Sequence, residues 1–344
     1  METGCYTAII TPFRGDAVDY EGLNALADFQ IKNNITGILA VGTTGESPTL
    51  SWDEHNKVIE NVADKTRGKC ACIAGVGSNN TEETLAGTMH AAHFGADAVL
   101  LVDPYYNGPS SLEIRKEYVE PVAKAFPEME IISYVIPGRT GAQLLPEDLA
   151  ILNRDFNNFN TVKEATGNIE NMQRTRECCG MDFDIFSGDD GITAKIMTDP
   201  KILAKGVISV ASNIFPAAVT EMVHQFNQGD LEKASKLEAA LKPMFDIIMV
   251  ITTETTPYGD VNCRARNPSA VKTLMAILGM PAGGMRKPMG LMTPKGLDVV
   301  LGAARTIQSA NPELFQPVAD FFNVNIEERL DNSSYWENLC YKDY

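Results

Sequence analysis

Eight short runs of β-branched and apolar residues recur along the chain, each followed by a longer amphipathic segment. They are YTAIITP from Tyr6, TGILAVG from Thr36, CIAGVG from Cys72, AVLLVDP from Ala98, IISYVIP from Ile131, TVKEA from Thr161, DIFSGD from Asp184 and GVISV from Gly206. Several are almost continuously apolar, as parallel strands covered on both faces must be; a strand with one wet face would alternate. The intervening segments carry helix signals. SWDEHNKVIENVADKT opens on Ser51 with Glu54 three residues later, a capping box, and TEETLAGTMHAAHFG starts on Thr81 and stops at Gly95. Eight such units predict a closed (β/α)8 TIM barrel. A doubly wound open sheet is the alternative, weakened because no GxGxxG turn follows an early strand.

Beyond Asn227 the pattern is read as helices only: DLEKASKLEAALKPMFDIIMVIT, NPSAVKTLMAILGM and a segment from Lys295 through Ser309. This gives an all-helical C-terminal region. The expected division is a barrel over 1–227, helices over 228–320 and a polar tail over 321–344. The loop MPAGGMRKPMGLMTPKG, rich in Gly, Pro and Met, is expected to be mobile. The tail NIEERLDNSSYWENLCYKDY has two readings, docking on another subunit or fraying.

Charge narrows the function. With 344 residues and a formal charge of −16, the chain has material for a large core and lacks the basic surface that nucleic acid or an anionic membrane requires. Small molecules are the expected partners. No basic leader with an apolar core and no membrane-length apolar run is present, so a cytoplasmic location is expected. The seven cysteines do not form a disulfide framework or CxxC pairs, and His90 and His93 lack neighbouring carboxylates at ligand spacing, so no metal is expected.

In a closed barrel, chemistry gathers where strands end. After the second strand, GTTGES (Gly42 to Ser47) offers amides and hydroxyls to an anion; Gly and Thr are also ordinary turn residues. Tyr105 and Tyr106 in DPYYNGP, and Tyr134 in the fifth strand, can relay protons or merely pack. Arg139 in PGRTG can grip a carboxylate bidentately or form a structural ion pair. Lys163 ends the sixth strand in TVKEATGN. Desolvation there would lower its pKa and leave neutral amine, the form that attacks a carbonyl; alone, a lysine is more often a structural partner. Glu164 points to the opposite face in a structural role, and Asn168 is set to cap the next helix.

The ordered set GTTGES, DPYYN, Tyr134 with PGRTG, VKEATGN, FSGDD and GVISV resembles the dihydrodipicolinate synthase and N-acetylneuraminate lyase superfamily of pyruvate-dependent class I aldolases. The likeness runs from Tyr6 through Ser309 and is strongest to the dihydrodipicolinate synthase branch, on the pairing of GTTGES with PGRTG and KEATGN; the lyase branch usually has another residue at the place of Arg139. It implies a Schiff base between Lys163 and pyruvate, without metal or organic cofactor. Thr43 and Thr44 would lie against the pyruvate carboxylate, bordered by the backbone of Ile208. Tyr134, Thr44 and Tyr106 would relay protons, Tyr106 reaching in from a neighbouring subunit of a homotetramer built as a dimer of dimers. Arg139 would bind the carboxylate of L-aspartate 4-semialdehyde, and the reaction would serve lysine and diaminopimelate biosynthesis. A feedback site for L-lysine would comprise Ser47, Pro48, Trp52, His55, Asn79, Glu83 and Tyr105, which otherwise read as plain interface residues.

Three features depart from that family: Val135 beside the relay tyrosine, SLE at Ser111 to Glu113, and the long tail. Val135 keeps open a pyruvate aldolase or lyase acting on a 2-keto-3-deoxy acid. A catalytically idle barrel used as a scaffold would predict a lost lysine or relay tyrosine, and both are present.

Overall fold

The computed structural model describes residues 1–343; Tyr344, the end of the tail, lies outside them. Eight parallel strands close into a barrel: β1 (Gly4–Ala8), β2 (Gly37–Ala40), β3 (Ala71–Gly75), β4 (Ala98–Val102), β5 (Glu130–Val135), β6 (Thr161–Glu164), β7 (Asp184–Ser187) and β8 (Gly206–Ser209). Closure is made by β1, which pairs with β2 on one side and β8 on the other. All eight predicted strands are therefore in place.

Alternation along the strands sorts the core into two layers. Tyr6, Leu39, Ile73, Leu100, Ile132 and Phe186 point inward, with the Tyr6 and Phe186 rings edge to face at 5.5 Å. Their neighbours, such as Ile38, Val99, Ile131 and Val162, point outward under the helices. The helix signals hold: Ser51 and Glu54 form the capping box, Gly95 ends its helix in the left-handed region at φ 84°, and Asn168 caps Ile169–Cys179. Val135 is fully buried in the outer layer, so this departure from the family points away from the barrel interior.

The C-terminal region is helical apart from one hairpin, which corrects the reading of residues 230–252 as a single helix. Leu231–Asp246 is helix, and β9 (Met249–Thr256) then pairs antiparallel with β10 (Gly259–Arg266). Ile247, Ile248, Val250, Ile251 and the threonines after them are β-branched and pack best on a pleated surface, while Pro257 and Tyr258 turn the chain. Helices Ser269–Ile277 and Pro294–Ala310 follow as expected.

The Gly-, Pro- and Met-rich loop and the tail both make contacts with the rest of their own chain. The loop over residues 280–296 is pinned: Phe13 N–H donates to Ala282 O at 3.1 Å, and Arg286 bridges to the Glu54 carboxylate at 2.6 Å. The tail is not frayed but lies on its own chain. Arg329 donates to Ile277 O at 2.6 Å, and Tyr341 N–H donates to Met292 O at 2.9 Å. Among the described residues no helix is long and apolar enough to cross a membrane.

Candidate active site

Among the described residues two lysines are buried, and their surroundings differ. Lys272 is satisfied on every side: its ammonium donates to Glu46 Oε1 at 2.6 Å, Thr11 O at 2.9 Å and Gly284 O at 3.0 Å. This pair pins the GTTGES loop, whose Glu46 sits in the left-handed region at φ 57°. Lys163, 4% exposed, has no ion-pair partner among the described residues. Alternation turns it into the barrel, and the β5–β6 register sets it beside Tyr134, whose ring centroid is 4.2 Å from its ammonium. Glu164 points outward and accepts from Thr166 N–H at 2.7 Å and Asn171 Nδ2 at 3.1 Å, as its structural role requires. Gly188 packs close under the strand end, since a Cβ there would stand 2.8 Å from Ala165 Cβ, 3.1 Å from Glu164 O and 3.3 Å from Lys163 Cε.

Burial pulls the Lys163 pKa down from 10.5 to about 7. The Asp190 charge works in the opposite sense, and Arg139 adds a smaller lowering. Asp190 is itself buried and is held by Ser209 Oγ–H, Val210 N–H at 2.8 Å and Ala211 N–H at 3.3 Å. Desolvation pushes its carboxyl up to about 6. The amine is thus neutral in part at physiological pH, with a carboxyl group nearby that partly opposes the desolvation.

The lysine opens on a cavity of about 480 Å³ whose wall includes Thr44, Tyr134, Arg139, Asp190, Arg266 and Asn267. A smaller cavity of about 250 Å³ shares Tyr134 and Arg139 and adds Thr43, Ser47, Pro48 and Tyr105. Thr44 is buried, and its hydroxyl accepts from Asn267 Nδ2 at 2.9 Å. Arg139 stands exposed at the rim and donates to Asn267 O at 3.1 Å. Burial raises the Tyr134 phenol, partly offset by the Arg139 charge and the Thr43 hydroxyl. The structure therefore gathers Lys163, Tyr134, Thr43, Thr44 and Arg139 at one mouth.

Other expected residues lie elsewhere. Tyr106 is 91% exposed on a left-handed backbone at φ 81° and lines neither cavity of its own chain. Ile208 is buried inside the barrel, while Val210 forms the cavity wall at that strand end. Of the seven residues matched to a lysine site, Ser47, Pro48 and Tyr105 share the smaller cavity. Burial and then the Glu83 charge raise the Tyr105 phenol. Glu83 accepts from Ser78 Oγ, Asn79 is exposed, and Trp52 packs edge-on against the buried His55 at 4.9 Å. Burial lowers the His55 pKa to about 4.

Sequence reasoning missed three residues. Asp190 lay within the quoted FSGDD but drew no role. Arg266 and Asn267 arrive on the unforeseen hairpin, and nothing local to them signals a site.

Comparisons with known proteins bear on the family and the barrel. The model of the dihydrodipicolinate synthetase family matches residues 1–304. The chain is 39% identical over 289 residues to the 4-hydroxy-tetrahydrodipicolinate synthase of Methanocaldococcus jannaschii, covering 84% of this chain and 93% of that protein. A crystal structure of dihydrodipicolinate synthase superposes with a TM-score of 0.81 at 37% identity, over 89% of this chain and 99% of the other. The lysine-bound dihydrodipicolinate synthase of Cyanidioschyzon merolae superposes at 0.80 with 32% identity, over 89% and 98%. A matched family model over most of the length, relatives at close to 40% identity and a barrel shared with solved members lead to one conclusion: the chain belongs to the dihydrodipicolinate synthetase family.

Proposed function

We propose that this enzyme is a lyase that condenses pyruvate with L-aspartate 4-semialdehyde, giving 4-hydroxy-tetrahydrodipicolinate for lysine and diaminopimelate biosynthesis. The observation that carries the reading is Lys163, buried and unpaired at a cavity, with its pKa drawn down to about 7. A lysine kept dry and out of direct ion-pair contact is costly unless its neutral form is used. Its amine adds to C2 of pyruvate, and loss of water gives the imine. The protonated imine withdraws electrons, C3 gives up a proton, and the enamine attacks the aldehyde carbon. The substrate's own amine then displaces Lys163 and closes the ring.

Tyr134, Thr44 and Tyr106 move the protons in this reading, Tyr106 on loan from a neighbouring copy. Its exposure and fixed left-handed backbone suit a residue presented outward. Thr43 and Thr44 hold the pyruvate carboxylate against the strand end that carries Ile208, and Arg139 takes the carboxylate of the semialdehyde. No cofactor is needed. The shared tyrosine calls for an oligomer, with a homotetramer built of dimers as the expected form, and light scattering tests it. L-lysine would bind around Ser47, Pro48, Trp52, His55, Asn79, Glu83 and Tyr105; unchanged activity at saturating lysine would remove that assignment. Seven free thiols suit a reducing, cytoplasmic compartment.

Turnover of pyruvate with the semialdehyde, followed by product formation, tests the substrate pair. Cleavage of a 2-keto-3-deoxy acid with no activity on the semialdehyde would overturn it.

A further inference from the structure

The hairpin that the sequence concealed ends in the active site. Its last residue, Arg266, lines the cavity of Lys163 together with Arg139 and the following Asn267. The two segments are tied reciprocally: Arg266 Nη1 donates to Gly138 O at 3.2 Å, and Arg139 Nη2 donates to Asn267 O at 3.1 Å. Each guanidinium so braced keeps further N–H groups free, because a guanidinium carries five donors in a planar fork.

Neither arginine has a carboxylate partner among the described residues, although acidic residues outnumber Lys and Arg by 45 to 29. The acids that line the same cavity have other partners. Asp246 is bound by Lys242 at 2.6 Å, Asp190 by Ser209 and two backbone amides, and Asp189 by Gly191 N–H at 2.9 Å. Two cations brought to one rim with no counter-ion among the described residues repel each other: desolvation first, and the Arg266 charge after it, make the protonated Arg139 less favourable. An anion arriving between them would relieve that repulsion.

We propose that Arg266 is a specificity-determining residue, a second guanidinium that binds the carboxylate of the incoming aldehyde jointly with Arg139. The proposal rests on the aldol reading given above. Pyruvate, once joined to Lys163, lies against the barrel interior, whereas Arg139 stands exposed at the mouth and Arg266 is half-buried beside it. The molecule they meet is the one that enters second. The site thereby favours short aldehydes bearing a carboxylate within reach of the rim.

The test is steady-state kinetics of R266A and R266K with each substrate varied in turn, alongside borohydride trapping of pyruvate on Lys163. The expected result for R266A is a KM for L-aspartate 4-semialdehyde raised roughly tenfold or more, the loss of a charge-assisted contact. The KM for pyruvate should stay within about twofold and the Lys163 adduct should form as in the parent, since Arg266 touches neither. R266K should recover part of the loss, because it keeps charge without the fork. If R266A does not fold, R266K against R266Q decides the same point. An unchanged semialdehyde KM, or an equal rise for pyruvate, would overturn the proposal while retained trapping left the aldol reading intact. No adduct in the parent chain would overturn both.

Discussion

Replacing Asp190 with Asn tests how the site sets the reactivity of its lysine. Burial is the largest influence on Lys163 and lowers its pKa to about 7; the Asp190 charge is the principal one in the other direction. At pH 7 about half of the amine is therefore neutral, against roughly one part in three thousand for a lysine at 10.5. Removing the negative charge leaves desolvation unopposed, so in D190N the Lys163 pKa falls below about 7. Asparagine retains a side-chain oxygen that can accept from Val210 N–H, now 2.8 Å from the carboxylate, which limits collateral damage. The assay is the initial rate of pyruvate adduct formation, trapped with borohydride in a rapid-quench series across pH. In the parent the rate climbs tenfold per pH unit up to about 7 and then levels. In D190N the acid limb should move to lower pH. A limb that stays in place, or moves to higher pH, would refute the assignment of Asp190 as the counter-charge.

Other consequences follow from the same contacts. Because the folded-state pKa of Lys163 lies below its unfolded value, its charged form opposes folding; the penalty is full below about pH 7 and vanishes as pH rises past 10.5. K163M should thus stabilise the chain in urea titrations by up to a few kcal/mol at pH 6, and by less at pH 9.5. K272M does the reverse, leaving Glu46 charged and unpaired in the core; denaturation should show a loss of about 3–5 kcal/mol. N267A removes the donor to Thr44 Oγ1 and should lower kcat by roughly fivefold to tenfold, with the pyruvate KM changed less. A purely structural role for Asn267 would instead lower the melting temperature and leave kcat of the folded fraction intact.

The barrel was legible because its strands are near-continuous apolar runs and its helices carry caps, signals that depend only on neighbours in sequence. Lys163, Tyr134, Thr44 and Arg139 were legible for a related reason: strand ends of a closed barrel converge, so naming the ends names the site. The hairpin was not. Its β-branched run continues a genuine helix without a break in hydropathy, and only the Pro257 to Gly259 turn marks where it doubles back. Arg266 and Asn267 were hidden with it, for Asn267 meets Thr44 across 223 positions of sequence. Asp190 was quoted within a motif, yet its charge acts on Lys163 through space, which no spacing in sequence displays. Val135 shows the converse. It looked like a substitution beside the chemistry, and alternation sends its side chain to the helix layer.

Whether Lys163 is the carbonyl-binding nucleophile is decided by reducing the enzyme with borohydride in the presence of pyruvate and mapping the peptides by mass. A catalytic Lys163 gives a single reduced pyruvate adduct on the peptide that carries it, absent without pyruvate and absent in K163M. Full turnover with no adduct on Lys163, or an adduct on another lysine, would contradict it.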